Sequence, residues 1–329
     1  MKAMTFTEPG GPEVLQVTDV PDPLPKAHQL LVRVHATALN RADLLQRRGQ
    51  YPPPPGEPDI LGLELSGEIQ SCGKAVQGFA PGENIVALVG GGGYAELVVV
   101  DYRLAMKIPE GLSFNEAAAI PEAFFTAQET VLTLGGLQSR ETVLIHAAGS
   151  GVGTAQVQMA KSIGAHVLVT AGTTEKLQMA AQLGADAGCN YQEQDFAEWV
   201  QMQTEGKGVN LVVDPVGAVN WQRNFHCLTP LGRLVIFGLM SGQKQETDLR
   251  PLLTKRLTVK GTVLRTRSVD EKIAITQRFV KRWLVPLAKG TIRPVIDSVF
   301  PITKASDAHR YMEANRNIGK IVLDVRNFE

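Results

Sequence analysis

The sequence predicts an α/β protein that joins a doubly wound parallel sheet to a second, β-rich domain. In the stretch 141–161, ETVLIHAAGSGVGTAQVQMAK, an apolar strand, a glycine-rich turn and a helix follow one another, which is the order that holds a dinucleotide pyrophosphate at a helix N-terminus. Further apolar strands alternate with helical stretches up to about residue 264, as a parallel sheet requires. Residues 30–101 instead contain short strands divided by glycine and proline, which is typical of a barrel or sandwich.

The glycine-rich turn is an incomplete dinucleotide fingerprint. The strand before it is apolar over 143–145, as burial on both faces requires, and its tight path is favoured by Gly149, Gly151 and Gly153. In a match to G-x-G-x-x-G that ends at Gly153, however, Ala148 and Ser150 take the first two glycine positions. A strand-to-helix turn of some other α/β protein therefore stays open at this point.

The next strand, 165–172, predicts the cofactor. In an NAD-binding unit an acidic residue at the end of this strand binds the adenosine ribose hydroxyls, but here Gly172, Thr173 and Thr174 follow, with Lys176 close behind. Because the missing carboxylate removes a repulsion, and the hydroxyls and the lysine supply donors for a 2′-phosphate, we expect NADPH rather than NADH. The alternative is that a threonine caps the next helix and Lys176 is a solvated first-turn residue.

Further strand patterns complete a six-stranded sheet, at 187–191, 210–214, 233–238 and 257–264. Ligands of such sheets lie beyond the carboxyl ends of the strands. Candidates for the cofactor wall are therefore the residues after those ends: Tyr191, Val216, Leu239 and Met240. For Tyr191, a contact with the adenine or the phosphate and an ordinary core position are both open.

The composition argues against several classes of protein. At 329 residues the chain is long enough for two domains, and 33 basic side chains balance 33 acidic ones, so no overall field favours nucleic acid or an anionic membrane. The start, MKAMTFTEPGG, lacks the pattern of a signal peptide, and no apolar run could span a bilayer. Since three scattered cysteines suit reduced thiols, we expect a cytoplasmic protein.

Two domains are predicted from the change of pattern along the chain. Strand patterns of the first domain lie at 30–40, 63–73, 83–89 and 94–101. Helical sequence begins near Asn115, and the segment after about Arg265 alternates helix and strand. Because that last segment is too short to bury a core alone, we expect it to fold back onto the N-terminal domain. The predicted domains are 1–121 with 266–329, and 122–265, with the catalytic cleft between them.

These segments resemble the medium-chain dehydrogenase/reductase superfamily over essentially the whole chain. The motifs that carry the resemblance are ALNRADLLQRRGQYPPPPG (38–56), ILGLELSGEI (60–69), AAAIPEAFFTA (117–127), HAAGSGVGTAQVQMAK (146–161) and YMEANRNIGKIVL (311–323). They look like the quinone oxidoreductase branch, which includes zeta-crystallin, and the stretch 171–191 looks closest to the p53-inducible quinone oxidoreductase type. The resemblance implies a GroES-like catalytic domain and a Rossmann dinucleotide-binding domain.

Zinc separates the branches of this superfamily. The alcohol dehydrogenase branch supplies an early Cys, a Gly-His-Glu motif and a further Cys to a catalytic zinc, and four clustered cysteines to a structural one. Here the first position lies in the stretch 40–43, NRAD, and Leu63 stands where the His would be. Three scattered cysteines cannot form a Cys₄ site. We therefore expect no zinc, and without a Lewis acid ordinary alcohol substrates are disfavoured.

The resemblance implies catalytic roles for Asn40 and Tyr51, both beside the cofactor. Asn40 would fix the nicotinamide ribose or the acceptor oxygen through its amide, and Tyr51 would donate a hydrogen bond to acceptor oxygen. Alternatively, Asn40 only caps the helix that follows, and Tyr51 packs on the proline run at 52–55.

The remaining cofactor contacts are implied in the same way. Backbone amides of Gly151 and Val152 should meet the pyrophosphate, backbone groups of 238–240 and 264–266 should hold the nicotinamide carboxamide, and Asn315 should approach from the C-terminal segment. The predicted cofactor-binding set is Asn40, Tyr51, Ser150, Gly151, Val152, Gly172, Thr173, Lys176, Tyr191, Val216, Gly238, Leu239, Met240, Leu264, Arg265, Thr266 and Asn315.

The other polar residues discussed here are predicted to have structural rather than catalytic roles. Packing is the simpler role for His146, and a structural hydrogen bond to a loop is the simpler role for Asp214, although a catalytic acid is open there. His28 and His309 look like surface positions.

The sequence thus favours an NADPH-dependent quinone reductase that transfers hydride from nicotinamide C4 without a metal. Reduction of the C=C bond of α,β-unsaturated aldehydes or ketones is the enzymatic alternative, and an NADPH-binding structural or regulatory protein with little turnover is the alternative of another class. The partners expected are a small-molecule quinone or enone and a second copy of the chain, paired through the edge strand 257–264.

Overall fold

The computed structural model describes residues 1–328, which form two compact units, 1–125 with 265–328 and 126–264. The strands are β1 (Lys2–Thr5), β2 (Gln16–Asp19), β3 (Gln29–Ala38), β4 (Glu64–Cys72), β5 (Asn84–Leu88), β6 (Leu97–Asp101), β7 (Ala105–Lys107), β8 (Thr142–Ile145), β9 (His166–Ala171), β10 (Ala187–Asn190), β11 (Val209–Asp214), β12 (Leu228–Ile236), β13 (Thr258–Gly261), β14 (Ile296–Pro301) and β15 (Lys320–Asp324). The helices are α1 (Arg41–Arg47), α2 (Phe114–Ala118), α3 (Pro121–Ala127), α4 (Gly151–Ser162), α5 (Thr174–Gln182), α6 (Phe196–Gln203), α7 (Trp221–Cys227), α8 (Arg250–Thr254), α9 (Val269–Ala288) and α10 (Ala305–Glu313).

Six parallel strands form the sheet of unit 126–264, in the order β10-β9-β8-β11-β12-β13. The order runs outward in both directions from the neighbours β8 and β11, which are the point where a doubly wound sheet changes direction. Both faces of the central strand are buried, with Val143 and Ile145 in one apolar core and Leu144 in the other. The predicted doubly wound parallel sheet is confirmed.

Polar caps fix the start of the two helices that matter for the site. Ser150 caps α4, where its Oγ accepts a hydrogen bond from the Gly153 N–H at 2.9 Å. Thr173 caps α5, where its Oγ1 accepts from the Lys176 N–H at 3.4 Å. Gly164 follows the end of α4 with φ of 80°, the left-handed conformation in which glycine commonly ends a helix.

The second unit is built on a mixed sheet in the order β14-β15-β3-β4-β5-β7, with β6 also paired to β3. Strand β15 lies antiparallel to β3 and parallel to β14. The C-terminal segment therefore returns to the sheet of N-terminal strands, as its pattern predicted. One apolar core joins both parts of the chain, with Leu30 and Val32 from β3 and Ile321 and Leu323 from β15.

The prediction that His309 lies at the surface is wrong, because the residue is fully buried. It lies on α10, whose buried residues Ala305, Ala308 and Met312 share its face. Its ring nitrogens meet Arg47 Nη1 at 2.9 Å and the Tyr94 hydroxyl at 3.1 Å. Burial, together with the charge of Arg47, lowers the pKa of His309 to about 3, so the ring is neutral and serves packing.

Two strands differ in extent from the pattern. Strand β12 begins at Leu228 rather than at 233, because it first pairs with Val209 and then shifts register before Leu211. Leu231, with φ of 64°, lies in this irregular stretch. Strand β13 ends at Gly261 rather than at 264 and forms the edge of its sheet.

Among residues 1–328, no helix combines the length and the apolar character that a membrane crossing needs.

Gly67 is a position where the sheet of the first unit tolerates no side chain. Gly67 of β4 pairs with Val34 of β3, and a Cβ on Gly67 would overlap the backbone carbonyl of Arg33. We expect Gly67→Ala to lower the free energy of unfolding by about 2 kcal/mol, measured by thermal and denaturant unfolding. Gly261→Ala is the control, because a Cβ at that strand end meets no heavy atom within 4 Å. Equal losses of stability in both variants would contradict the expectation.

Candidate functional site

The turn between β8 and α4 leaves two backbone donors available. The first amides of a helix have no intrahelical acceptor, and the Ser150 hydroxyl satisfies only that of Gly153. The N–H groups of Gly151 and Val152 remain at the helix start, on residues that are partly exposed. Gly153 allows close packing, since a Cβ there would overlap the Ala147 carbonyl oxygen. This geometry suits a phosphate group, which helix N-termini bind through amides and the helix dipole.

Lys176 lies directly beside this turn. Its side chain is only 8% exposed, so the alternative that it is a solvated surface residue is wrong. Its methylene groups lie across Gly149, where a Cβ would come within 2.7 Å of Cγ and 2.8 Å of Cδ. Thr173 does cap α5, as the other half of that alternative held. Capping and phosphate binding use the same helix end, so the cap leaves a phosphate role open.

Tyr191 lies at the end of the neighbouring strand β10. The residue is 47% exposed, so an ordinary core position is excluded. Its hydroxyl lies over Gly172, where a Cβ would come within 2.7 Å of the Tyr191 oxygen and 3.3 Å of Gln192 Nε2. The structure therefore brings Gly172, Thr173, Lys176 and Tyr191 together at the ends of β9 and β10.

Asp214 and His146 form a buried hydrogen-bond network under the sheet ends. Asp214 Oδ1 accepts from the Val216 N–H at 2.6 Å, and Oδ2 accepts from Asn224 Nδ2 at 2.7 Å. The His146 ring meets Asn224 Oδ1 at 2.9 Å and Thr170 Oγ1 at 2.8 Å. Burial lowers the pKa of His146. All these groups satisfy one another inside the unit, so both residues are structural, as expected.

The loop after β12 packs on the loop after β11. The Met240 N–H donates to the Pro215 carbonyl at 3.2 Å, and the Ser241 N–H donates to the Val216 carbonyl at 2.8 Å. The Met240 N–H is therefore already occupied, and the predicted carboxamide contacts of backbone groups 238–240 stay a prediction. The side chains of Leu239 and Met240 are exposed.

In the other unit, Asn40 is held by a buried ion pair. Lys320 Nζ donates to Glu64 Oε1 at 2.7 Å, and both side chains are almost fully buried. The same Nζ donates to Asn40 Oδ1 at 2.7 Å, while Asn40 Nδ2 donates to Glu64 Oε1 at 2.9 Å and to the Ala38 carbonyl at 3.2 Å. Asn40 is also the N-cap residue of α1. Its amide thus has both donors occupied and keeps acceptor capacity on Oδ1.

Two further carboxyl groups surround this pair. Asp43 accepts from the backbone N–H groups of Asn40 and Gly62, yet burial raises its pKa to about 6. Glu122 donates its backbone N–H to Glu64 Oε2 at 2.8 Å. Burial, and then the negative charge of Glu64, raise the pKa of Glu122 to about 8. At neutral pH Glu122 therefore holds a proton.

Tyr51 lies next to Arg265. The guanidinium carbon is 5.2 Å from the centre of the tyrosine ring, and Arg265 Nη1 donates to the Tyr51 carbonyl at 3.2 Å. Arg265 is buried and also donates to Gln46 Oε1 at 2.7 Å and to the Gly90 carbonyl. Burial raises the pKa of the Tyr51 phenol, so it stays a neutral donor.

The remaining predicted residues are dispersed. Asn315 has a φ of 54°, and its Oδ1 accepts from Arg41 Nη2 at 3.1 Å. Arg41 is the residue that follows Asn40. Leu264 is buried and Thr266 is exposed. The structure thus places Asn40, Tyr51, Arg265, Thr266 and Asn315 in one unit and the other predicted cofactor residues in the second.

Sequence reasoning missed Lys320 and Glu122, although both left a signal in the sequence. Lys320 is a charged residue at the start of an apolar strand, IVL, and Glu122 stands within the apolar run AAAIPEAFF. A charge at such a position needs a buried partner.

The metal question rests on residue types. Leu63 is buried beside Glu64 and offers no ligand. Among residues 1–328, no three His, Cys, Asp or Glu side chains are grouped so that they could hold a metal ion. The absence of zinc stays a prediction.

Glu122 should make stability depend on pH. The folded protein holds this proton up to about pH 8, whereas an unfolded chain releases it near the ordinary glutamate pKa, so the free energy of unfolding falls as the pH rises between the two values. We expect Glu122→Gln to remove this loss and to gain about 1–3 kcal/mol relative to wild type between pH 5 and pH 8.5. Denaturant unfolding at both pH values measures it. Exposed Glu110→Gln is the control, and a pH-independent difference would contradict the expectation.

Comparison with known proteins gives consistent matches along the chain. The alcohol dehydrogenase GroES-like domain matches residues 26–110, and the zinc-binding dehydrogenase family matches residues 151–279. A quinone oxidoreductase of Pseudomonas aeruginosa is 33% identical over 98% of this chain and 99% of its own.

Two solved structures are similar over nearly the whole chain. Quinone oxidoreductase of Escherichia coli, in complex with NADPH, is 30% identical with a TM-score of 0.89, covering 98% of this chain and 100% of that one. An NAD-dependent alcohol dehydrogenase is 34% identical with a TM-score of 0.89, covering 99% and 100%. The GroES-like and Rossmann folds that the resemblance implied are therefore confirmed, and the chain belongs to the quinone oxidoreductase family of the medium-chain dehydrogenase/reductase superfamily.

Proposed function

We propose that this protein is an NADPH-dependent quinone reductase that works without a metal. The observation that carries the proposal is the side-chain set around Asn40. Where zinc-dependent relatives need ligands, this chain has an amide bound to the Lys320–Glu64 ion pair and the apolar Leu63. These groups can orient a substrate but cannot replace a Lewis acid.

The residues present fit NADPH. The amides of Gly151 and Val152 suit its pyrophosphate, and Lys176 with Tyr191 supplies donors at the strand ends proposed to hold the 2′-phosphate. The hydroxyl of Thr173 is instead hydrogen-bonded to the Glu175 carboxylate. No acidic side chain follows β9 at Gly172. When bound, NADPH supplies the hydride of its nicotinamide C4.

Asn40 is proposed to accept a hydrogen bond. Its two amide hydrogens point to Glu64 and to the Ala38 carbonyl, whereas Oδ1 accepts from Lys320 and has capacity for a second donor. A sugar hydroxyl can donate a hydrogen bond to Oδ1, whereas the carbonyl oxygen of the substrate cannot. Of the two roles considered for Asn40, holding the nicotinamide ribose is therefore favoured.

Tyr51 is proposed to donate to the oxygen of the substrate. Its phenol stays neutral, since burial raises its pKa. Reduction of a quinone gives a delocalised hydroquinone anion, so one donor and exclusion of water suffice to orient the acceptor. This modest requirement matches the side chains present.

Reduction of an enone is the second candidate, and Glu122 favours it. That reaction needs an acid that delivers a proton to the carbon beside the carbonyl. Glu122 holds a proton at neutral pH, and its backbone N–H binds Glu64, the same carboxylate that accepts from Asn40. The raised pKa of Glu122 is the observation that supports this second candidate.

An assay of NADPH and NADH oxidation tests the function. We expect faster turnover with ortho- or para-quinones than with an enone, preference for NADPH, and no loss of rate with a chelator. Loss of activity with the chelator would overturn the metal-free mechanism, and tight NADPH binding without turnover would favour a binding protein. Faster enone reduction that Glu122→Gln abolishes would establish the second candidate.

The protein is further proposed to be a cytoplasmic homodimer. Strand β13 ends the sheet of its unit, and its residues are mostly exposed. An open strand edge can pair with the same edge of a second copy. We expect equilibrium sedimentation at micromolar concentration to give twice the chain mass of 35.6 kDa. A species of monomer mass would contradict this.

A further inference from the structure

Arg265 is a buried arginine that uses its whole guanidinium group within one unit. Nε and Nη2 both donate to the Gly90 carbonyl, at 3.3 Å and 3.0 Å. Nη1 donates to the Tyr51 carbonyl at 3.2 Å, and Nη2 also donates to Gln46 Oε1 at 2.7 Å. All of these acceptors are neutral. Because a neutral acceptor compensates a buried charge less well than a carboxylate does, stability alone accounts poorly for an arginine here.

Gln46 extends the reach of Arg265 to a second point of the chain. This glutamine lies on α1 and is 4% exposed. Its Oε1 accepts from Arg265, and its Nε2 donates to the Asp59 carbonyl at 2.8 Å. The stretch 51–59, which we call the proline segment, is therefore bound at its first carbonyl by Arg265 and at its last carbonyl by Gln46. One pair of side chains holds both ends.

The composition of the proline segment makes these two attachments important. Four consecutive prolines occupy 52–55, and each has a fixed φ and no N–H group. This stretch cannot donate a backbone hydrogen bond to its surroundings. Its position therefore depends on contacts to its carbonyls and to its two ends.

The proline segment also lies directly on the glycine loop 90–93. A Cβ at Gly90 would overlap the carboxylate of Glu57, and a Cβ at Gly91 would come within 2.5 Å of the Pro58 carbonyl oxygen. Arg265 binds this loop as well, at Gly90. The same guanidinium thus joins the proline segment to the surface on which it packs.

The ring of Tyr51 is held by the cation that holds its carbonyl. The guanidinium carbon of Arg265 is 5.2 Å from the centre of the ring. A planar guanidinium can contact an aromatic ring while it donates several hydrogen bonds, whereas the ammonium of a lysine is a single point of charge. Both the backbone and the side chain of Tyr51 are consequently fixed by Arg265.

The geometry points to Arg265 and Gln46 as positioning residues, which hold both ends of the proline segment and thereby direct the Tyr51 phenol toward the oxygen of the substrate. The inference rests on the proposed role of Tyr51 as a hydrogen-bond donor. It gives the side chain of Arg265 a role that is separate from the backbone contacts predicted for 264–266.

Arg265→Lys keeps the positive charge and removes the planar group of donors. We expect kcat/KM for a para-quinone, at saturating NADPH, to fall about tenfold, since a small misplacement of a catalytic group can cost up to about 100-fold in rate. Tyr51→Phe should lower the same constant at least about tenfold, because the donor itself is lost. Steady-state oxidation of NADPH measures both variants.

A double-variant cycle separates positioning from other effects of Arg265. In the Tyr51→Phe background, Arg265→Lys should lower kcat/KM by less than about twofold, because the group that it positions no longer donates. A loss that acted through the cofactor contacts of 264–266, or through stability, would persist in this background. An undiminished loss there would overturn the inference.

Arg47→Lys is the matched control. Arg47 is a fully buried arginine of the same unit, but its Nε donates to the Gly10 carbonyl at 3.1 Å and its Nη1 meets His309. We expect this variant to be less stable than wild type and to keep kcat/KM within about twofold. A loss of turnover as large as that of Arg265→Lys would contradict a specific effect on Tyr51.

Gln46→Met tests the other end of the proline segment and covers the case in which Arg265→Lys does not fold. Its volume is close to that of glutamine, so the variant releases the Asp59 carbonyl and leaves Arg265 in place. We expect kcat/KM to fall about threefold in the presence of Tyr51 and to stay unchanged in the Tyr51→Phe background. Wild-type turnover in Gln46→Met would overturn the role of the pair.

The same measurements distinguish the inference from the proposed function. Additive losses, in a protein whose turnover depends on Tyr51, would reject the inference and leave the proposed function intact. Quinone turnover that Tyr51→Phe does not change would reject the role of Tyr51 and, with it, this inference. A wild type without quinone turnover would reject the proposed function itself.

Discussion

The buried ion pair between Lys320 and Glu64 organises the unit that contains Asn40. It connects the last strand, β15, to β4, and the same ammonium group binds the Leu39 carbonyl just before α1. Both charges are removed from water, so each depends on the other. Breaking such a pair by removing one partner costs about 3–5 kcal/mol, because the remaining charge is left buried. The return of the C-terminal segment and the position of Asn40 are therefore parts of one interaction.

This pair also explains the charge state of its neighbours. Glu64 already compensates Lys320, so a further negative charge nearby is unfavourable. Glu122 and Asp43 lie within its field, and their raised pKa values follow from burial, with the charge of Glu64 adding to it. One compensated pair thus leaves two carboxyl groups that titrate near neutral pH. Such groups often occur where proton transfer takes place.

Much of the fold could be predicted from the sequence because its patterns are local. Strand β8, the glycine-rich turn and the cap of α4 each depend on residues close together in the sequence. The apolar run 143–145 can be read directly from the sequence. His309 could not be placed as easily, because its burial depends on Arg47 and Tyr94, which lie far away in the chain. The helical spacing of 305, 308, 309 and 312 was nevertheless present as a signal.

The candidate site shows the same division between local and distant causes. The missing acid at Gly172 could be found from spacing alone, but the contact between Lys176 and Gly149 could not, since the lysine reaches this turn from α5. A glycine in a phosphate-binding turn is usually explained by backbone freedom or by close approach to the ligand. At Gly149 the close approach is made by a side chain of the protein itself. A sequence motif gives the position of a glycine. Only the folded chain distinguishes a glycine that turns the backbone from one that leaves space for another side chain.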